Sequence, residues 1–406
     1  MANQLQFKPE DRTRLVSALS NALDIAPKAR SVEEALFFQI ITLRDAPESA
    51  LRELKELLEV VSSIPALDLF DYAHQCALGY WQQIDFLFLV GWLVSHGQQV
   101  GSDRAVADLS RYLEAETLDL TEVLAVDGFQ IDSIIDLGEH QLVPWEGLYA
   151  SDTKWRVTAH SLFSHAYPLV AVLRRHTIQR THVRPWDSPP PSILLSMEPA
   201  LDVLRCVTAV AGAGIRLLHY WFEPPDWAPW AVSPGSFGID STVHSPPVEL
   251  KADLVPQIQL CVSQFGGRDD STRVRLRIPL DRLNRSYLAG LNSVEKAIEL
   301  GVALESLYAP AKLSEGIGFA VRTRAARFLG GPLDVRRKTA NILKDVYDLR
   351  SRAVHAGRVD TAGGPKRWRD SNAVLEVLQE GQGVVARSLM KVIEEGEPAW
   401  EDFDIM

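Results

Sequence analysis

Cysteine is scarce in this sequence, and the three cysteines lie far apart. Cys76, Cys206 and Cys261 form neither a Cys-x-x-Cys pair nor a cluster with histidine. A disulfide-stapled scaffold and a zinc-finger framework both need several closely spaced cysteines, so the sequence excludes both. Few cysteines without a pairing pattern are typical of a reducing compartment, and we therefore expect a cytoplasmic protein.

Long hydrophobic runs are also missing. The longest apolar run, residues 86–94, has nine residues, whereas a membrane-spanning helix needs about 20. Residues 1–15 are charged almost from the start and have no apolar core of the signal-peptide type. We expect neither membrane insertion nor secretion, in agreement with a cytoplasmic location.

Several familiar catalytic and nucleotide-binding motifs are absent. Gly212-Ala-Gly214 lacks the third glycine and the Lys-Ser/Thr pair of a phosphate-binding loop, which favours a simple helix-to-strand turn. No Gly-x-Ser-x-Gly elbow occurs. The histidines between residues 160 and 182 have no acid or cysteine at a spacing typical of metal ligation. We therefore predict neither a bound metal nor a cofactor.

Charge is abundant but unevenly distributed. The chain has 42 basic and 53 acidic side chains in 406 residues, a net charge of −11. Residues 319–370 contain thirteen Lys or Arg and five Asp, so this segment carries +8 and the rest of the chain −19. Such a segment indicates either a basic helical face balanced by acidic neighbours or a surface for nucleic acid.

The change of pattern along the chain predicts a mixed α and α+β fold with three regions. Residues 1–120 have mainly helical spacing, including a long aromatic-rich stretch at 68–94. Residues 121–280 alternate short apolar segments with Pro and Gly turns, which predicts an α+β middle domain with a sensor or regulatory role. Its expected elements are strands near 129–137, 215–222 and 274–280, and a helix at 198–210. Residues 281–400 are helical again.

The segment Arg273-Val-Arg-Leu-Arg-Ile278 alternates strictly between arginine and apolar residues. On a strand, this pattern places three arginines on one face and three apolar side chains on the other. The functional interpretation is a row of phosphate contacts, and the structural one is an edge strand protected by charge. The structural interpretation is the one that we favour.

The C-terminal region predicts a four-helix bundle, with helices at 293–308, 313–329, 334–354 and 372–394. Gly and Pro residues stand at the breaks between them, where helices normally stop. The acidic tail at 394–404 is expected to fray.

One arginine in the third of these helices stands out. At about 100° per residue, one apolar stripe is formed by Ile342, Leu343, Val346, Ala353 and Val354. Arg350 lies in the middle of this stripe, and its guanidinium cannot lose its charge. It therefore needs an acidic partner, a bound anion or a protein interface. Glu305, at the edge of its own apolar stripe, is a plausible partner.

The same region resembles a known family. The run 291–307 with Lys296, the Ala303-Leu-Glu305 step, Arg322 with Ala325-Ala326, and the segment from Tyr347 to His355 are similar to the Apea-like branch of the HEPN superfamily. The superfamily signature is an arginine, four to six residues and a histidine. Arg350 and His355 have four residues between them. The resemblance covers residues 281–395 and implies a HEPN-type helical bundle.

The resemblance implies a metal-independent endoribonuclease, with Arg350 and His355 as catalytic residues. It also implies an RNA substrate, ends with a 2′,3′-cyclic phosphate and a 5′-hydroxyl, and a homodimer formed through the HEPN domain. Many such domains act as toxin-like or anti-phage effectors, so a phage or cellular trigger is expected. We assign supporting roles to Glu305, Ser351, Arg352, Asp348 and Tyr347. RNA contacts are assigned to Arg322, Arg324 and Arg358.

Two other interpretations stay open. The HEPN dimer can be a non-catalytic module that binds RNA or a nucleotide, or a scaffold. A buried Arg350–Glu305 pair, with His355 as a helix-ending cation, then suffices to explain the motif. Judged from residue spacing alone, this structural explanation is at least as well supported as a catalytic role.

Overall fold

The computed structural model describes residues 7–25, 48–71, 73–77, 80–164, 167–179, 182–183, 197–230, 235–236, 247–288, 291–309, 316–359, 370–400 and 402–405. Over these ranges the fold is mixed α and β, with helices predominating and one six-stranded antiparallel sheet. No helix in this part of the chain is both long enough and apolar enough to cross a membrane.

The first region is helical at both ends but contains a hairpin. Its helices are α1 Pro9–Ile25, α2 Glu48–Ser63, α3 Phe86–Val100 and α4 Ser102–Glu114, and its antiparallel strands are β1 Ala73–Ala77 and β2 Tyr80–Ile84. The expectation of one helical stretch over 68–94 is therefore wrong for most of its length. Aromatic and β-branched residues in β2 suit extended backbone. The carboxylate of Asp85 accepts a hydrogen bond from the Phe88 N–H and caps α3, so this helix begins only after Asp85.

The middle region confirms the α+β expectation at the level of its elements. Its strands are β3 Thr117–Asp127, β4 Phe129–Gln130, β5 Ile135–Asp136, β6 His140–Pro144, β7 Val170–Gln179, β8 His182–Val183, β9 Arg216–Glu223, β10 Gly235–Ser236 and β11 Val248–Glu249. The main sheet has the order β10-β9-β3-β7-β6-β5, with every neighbouring pair antiparallel. The strand expected at 129–137 is two short strands, β4 and β5, and residue 120 lies inside β3.

Two helices accompany the sheet, α5 Asp152–Ser164 and α6 Glu198–Ala211. Helix α6 is apolar on two sides. Val203 and Val207 pack in the same core as the N-terminal helices and the inner face of the sheet, whereas Cys206 packs in the C-terminal core. The helix ends at Gly212, whose φ of 68° is left-handed, and β9 follows. The predicted helix and helix-to-strand turn are both confirmed.

The strand expected at 274–280 is wrong, because these residues are helical. Helix α7 Val255–Gly266 is followed by α8 Asp270–Tyr287, which Asp269 caps by accepting from the Thr272 N–H. On a helix, alternating positions do not share a face. The three arginines accordingly pair with different acids, namely Arg273 with Asp270, Arg275 with Glu397 and Arg277 with Asp202. Neither a protected edge strand nor a row of phosphate contacts exists here.

The C-terminal helices lie close to their predicted positions. They are α9 Ser293–Tyr308, α10 Ile317–Leu329, α11 Leu333–Ala356, α12 Ser371–Glu395 and the short α13 Asp402–Ile405. Asn292 and Glu295 form a capping box at the start of α9. The predicted start of the second helix at residue 313 lies outside the described residues. Residue 280, the predicted domain boundary, lies inside α8.

The C-terminal tail was expected to fray, but it packs against the helices. The Trp400 side chain is only 3% exposed and packs edge-on against the rings of Tyr308 and Phe328. The backbone carbonyl of Phe403 accepts a hydrogen bond from Arg327. Acidic residues suggested solvation, but the aromatic side chains among them supply enough apolar area to hold the segment on the helices.

We therefore expect Trp400→Ala to lower the free energy of unfolding by about 3–5 kcal/mol, because truncating a buried aromatic leaves a cavity. Urea denaturation of the full chain measures this loss. The control is Trp155→Ala, since Trp155 is 51% exposed and its truncation should cost less than about 1 kcal/mol. Similar losses in both variants would contradict the packing of the tail.

Candidate functional site

The residues of the Arg-x4-His motif lie along α11, and Arg350 faces the neighbouring helix α9. Glu305 of α9 accepts a hydrogen bond from the Tyr347 hydroxyl at 2.5 Å, and one of its carboxylate oxygens lies 3.2 Å from Nη2 of Arg350. The Arg350 and Glu305 side chains are 25% and 26% exposed. The proposed Arg350–Glu305 pair is thus present, but in a partly exposed groove between α9 and α11 rather than in the core.

Two glycines make this groove narrow. Gly301 lies one turn before Glu305 on α9, and a Cβ atom at this position would lie 2.4 Å from Cγ of Arg350. Gly318 of α10 has the same relation to Tyr347, because a Cβ there would lie 3.0 Å from the tyrosine ring. The aliphatic stem of Arg350 therefore lies directly against the backbone of α9. Sequence reasoning missed Gly301, although its spacing of four from Glu305 puts both on one helix face.

The guanidinium of Arg350 has an incomplete set of partners. Its Nε atom is buried and has no hydrogen-bond partner among the described residues, while Nη2 pairs with Glu305. The centre of the guanidinium lies 5.6 Å from the centroid of the Tyr347 ring. Glu305 and Tyr347 therefore hold the Arg350 side chain from one side, and some of its N–H groups remain available as hydrogen-bond donors.

The apolar stripe around Arg350 differs from the expectation at one end. Leu343, Val346 and Ala353 are buried as predicted, but Val354 is 50% exposed. Helices α9, α10 and α12 all pack on α11, and Val354 lies outside the face that they cover. Arg350 therefore lies at the edge of the packed face and not in the middle of it.

His355 is exposed in the last turn of α11. The helix continues to Ala356, and Gly357 caps it with a left-handed φ of 64°. Both features agree with the predicted helix end. Since the helix does not unwind between Arg350 and His355, five residues separate their directions by about 140° and their positions by about 7.5 Å along the axis. The two side chains therefore do not converge within one chain.

The remaining candidates surround this arrangement. Ser351 and Arg352 are half-buried, Asp348 and Arg358 are exposed, and Arg322 lies with its guanidinium 5.2 Å from the centroid of the exposed Phe319 ring. Asp348 and Arg352 each lie two positions from Arg350 on α11 and therefore face away from it.

Arg324 is different and corrects one assignment. Its side chain is buried, and Nη1 donates a hydrogen bond to the backbone carbonyl of Tyr308 at 2.7 Å. This arginine ties α10 to the end of α9 and does not face solvent, so we withdraw it from the set of RNA contacts. Arg322 and Arg324 are two positions apart on a helix and therefore face different sides, so it was wrong to assign both to one RNA-contacting surface.

Tyr347 has an altered acidity. Burial is the largest cause that raises the pKa of its hydroxyl, and the hydrogen bond and the charge of Glu305 add to it, giving a pKa of about 12. The hydroxyl thus stays protonated over the usual working range and donates to Glu305. Its role in this arrangement is to position the carboxylate that holds Arg350.

Among the described residues, no group of three or more His, Cys, Asp or Glu side chains could hold a metal ion. Two buried acid–histidine pairs do occur. Nε2 of His96 lies 3.0 Å from Oδ2 of Asp108, and the second pair is formed by His176 and Glu122, with Nε2 and Oε2 2.7 Å apart. The residues of the second pair are on the adjacent strands β7 and β3 and are distant in sequence, so local spacing gave no sign of it.

No protein-family model, curated protein or solved structure matches the chain.

The narrow contact at Gly301 gives a direct test of how Arg350 is positioned. We expect Gly301→Ala to push the Arg350 stem away from α9, break the contact with Glu305 and lower the free energy of unfolding by about 1–3 kcal/mol. Gly383→Ala is the control, because its Cβ would meet only the mobile end of Arg387 at 3.4 Å. That variant should be neutral or stabilised by up to about 1 kcal/mol, as is usual for Gly→Ala in a helix. If Gly301→Ala and Gly383→Ala changed the free energy of unfolding by the same amount, the Arg350 stem could move away from α9 at no cost, which would contradict this close contact.

The raised pKa of Tyr347 predicts a pH dependence of stability. A tyrosine that keeps its proton more tightly in the folded state contributes stability below its ordinary pKa of 10.0, and this contribution is lost as the pH rises towards about 12. We expect Tyr347→Phe to lose less stability than the wild type over this window, as measured by urea denaturation at each pH. Glu305→Gln should act in the same direction but less strongly, because burial, the largest cause of the raised pKa of Tyr347, remains, and the double variant should behave like Tyr347→Phe. Parallel curves for the wild type and Tyr347→Phe would rule out the coupling.

Proposed function

We propose that this protein is a HEPN-type, metal-independent endoribonuclease that acts as a toxin-like or anti-phage effector. The observation that supports this most is the arrangement on α11. Arg350 is held by Glu305 at a partly exposed position, and His355 is exposed at the end of the same uninterrupted helix. The Arg-x4-His spacing of the resembled family is thus combined with a positioned cation and an accessible imidazole.

Arg350 is suited to stabilise the transition state of RNA cleavage. When the 2′-oxygen attacks phosphorus, negative charge grows on the non-bridging oxygens of the phosphorane. A guanidinium fixed in advance by Glu305 and Tyr347 offers its remaining N–H groups to that charge without a reorganisation cost. Its partial exposure allows a phosphate to approach.

His355 supplies the proton transfers. It is the only histidine of the C-terminal helices, so acid–base chemistry near neutral pH falls to it. The imidazole removes the proton of the 2′-hydroxyl, or donates a proton to the 5′-oxygen as the bond from phosphorus to that oxygen breaks. The products are a 2′,3′-cyclic phosphate and a 5′-hydroxyl, and no metal takes part in these steps.

The site requires two copies of the chain. Arg350 and His355 diverge by about 140° on a continuous helix, so one phosphate does not reach both in a single subunit. A two-fold dimer through α11 brings Arg350 and His355 of two chains to one cleft. The exposed side chains of Val354 on α11 and Phe319 on α10 support such an interface, because apolar groups of this size favour burial.

Basic residues around the motif support RNA as the substrate. Arg322, Arg352 and Arg358 belong to the +8 segment and are at least partly exposed. Phosphate contacts of this kind give affinity without sequence preference and make binding sensitive to salt. In this proposal the N-terminal and middle regions restrain or trigger the nuclease.

The test is cleavage of a labelled single-stranded RNA by the purified full chain in EDTA. We expect cyclic phosphate ends, and at least a 100-fold slower reaction (~2.7 kcal/mol) for His355→Ala and for Arg350→Ala, the usual scale for losing a general acid–base or a charge-stabilising donor. Arg352→Ala should slow cleavage less and make RNA binding less sensitive to salt.

The control is Arg337→Ala, which removes an exposed arginine from the first half of the same helix and should keep the wild-type rate. Sedimentation should give a dimer at micromolar concentration. Wild-type cleavage by His355→Ala, a requirement for added magnesium, or full activity from a monomer would each overturn the proposal.

A non-catalytic RNA-binding or scaffold module is the second candidate. The observation that favours it is the Arg350–Glu305 pair itself, because an arginine with a carboxylate partner needs no substrate to explain it. In that case the wild type and His355→Ala bind RNA equally, and neither cleaves it.

A further inference from the structure

The groove between α9 and α11 presents a hydrogen-bond donor and an acceptor side by side. The donor is the guanidinium of Arg350, and the acceptor is the carboxylate of Glu305, whose Oε1 lies 3.2 Å from Nη2 of Arg350. Both side chains are partly exposed, at 25% and 26%. A ligand that reaches the guanidinium from solvent therefore also lies beside the carboxylate.

The exposed part of Arg350 includes a free donor. Nη2 is engaged by Glu305 and Nε is buried, whereas Nη1 makes no hydrogen bond to any described residue and is not buried. A guanidinium carries two N–H groups on Nη1, so it can bind an oxygen atom of a phosphate while Nη2 stays with Glu305.

The carboxylate of Glu305 has acceptor capacity left as well. It accepts one hydrogen bond from the Tyr347 hydroxyl, at 2.5 Å, and one from Arg350, whereas an ionised carboxylate can accept about four. The hydrogen bond from Tyr347 keeps the carboxylate beside Arg350. A ligand bound to Nη1 therefore meets a fixed negative charge with acceptor sites that are still open.

A carboxylate beside a phosphate site is unfavourable unless the ligand brings a donor for it, because the two negative charges repel. In RNA, the ribose 2′-hydroxyl is on the carbon next to the one that carries the 3′-phosphate, so a donor lies close to the phosphate oxygens. A hydrogen bond from this hydroxyl to the carboxylate offsets the repulsion. DNA has no such hydroxyl and leaves the carboxylate facing the phosphate without compensation.

We propose that Glu305 makes the groove selective for ribose, by accepting a hydrogen bond from the 2′-hydroxyl next to the phosphate that Arg350 binds. The contact is made on binding, before any bond breaks. This inference rests on the proposed function in taking RNA as the ligand, and it gives that site a residue that determines specificity. Arg350 holds the phosphate, and Glu305 disfavours strands that lack the hydroxyl.

The experiment measures binding without cleavage, by fluorescence anisotropy with the full-length His355→Ala variant. Its ligands are three single-stranded oligonucleotides of one sequence, with ribose, 2′-fluoro-ribose or deoxyribose. The 2′-fluoro strand keeps an RNA-like sugar shape but has no hydroxyl to donate. We expect RNA to bind about 10-fold more tightly than either of the other strands (~1.4 kcal/mol), the order expected for one hydrogen bond to a charged group. Gel electrophoresis checks that the RNA is intact.

A second variant adds Glu305→Gln to His355→Ala, which removes the charge but keeps the shape of the side chain. We expect the 2′-fluoro strand and DNA to bind more tightly than before, and the preference for RNA to fall below about 3-fold. The matched control is Glu376→Gln in the same background, an identical change at an exposed position of α12. It should keep the full preference. Circular dichroism checks that each variant is folded.

Equal affinities for RNA and DNA in His355→Ala overturn the proposal, and so does tight binding of the 2′-fluoro strand, because sugar shape would then explain the preference. An unchanged preference after Glu305→Gln, or an equal loss after Glu376→Gln, also overturns it. Absence of binding to all three strands overturns both this inference and RNA as the substrate. A preference for RNA without cleavage by the wild type contradicts only the nuclease activity, whereas cleavage without a preference contradicts only the role of Glu305.

Discussion

The contact between α6 and α8 is the interaction on which the rest of the molecule depends. Arg205 of α6 donates to Asp281 of α8 as well as to Glu198 and Asp202 of its own helix, and Arg277 of α8 donates to Asp202. Burial alone would lower the pKa of Arg205, but these hydrogen bonds raise it, so the guanidinium remains charged. Breaking such a buried network is costly because it leaves unpaired charges. Since α6 packs into both large cores, this junction holds the sheet and the C-terminal helices together.

A short series of helix contacts connects the α6–α8 junction to the candidate nuclease site. Helix α8 packs along α9, which presents Gly301 and Glu305 on one face to α11. There Glu305 holds Arg350 and Tyr347. The orientation of Arg350 thus depends on helix packing as well as on the motif.

Much of the C-terminal region could be predicted from the sequence, because local signals agree there. Helical periodicity and the Gly and Pro breaks gave the helix positions, and the position of Glu305 at the edge of its own apolar stripe suggested it as a partner of Arg350. The strand expected at 274–280 was wrong. Alternation of arginine and apolar residues does not by itself specify a strand, because a helix accommodates the same pattern when each arginine pairs with a different acid. The burial of Arg324 and of the tail at Trp400 could not be predicted, because their surroundings come from segments distant in the chain.

The continuity of α8 across residue 280 has a consequence for how the molecule can be divided. A fragment that begins at residue 281 would keep the helical motif but start in the middle of a helix, without Leu276 or the partners of Asp281. Its core would lose Leu276 and Leu280, which pack in the same core as α9 and α12. The C-terminal helices are therefore not a detachable module. A fragment that keeps this core intact has to include both α6 and α8.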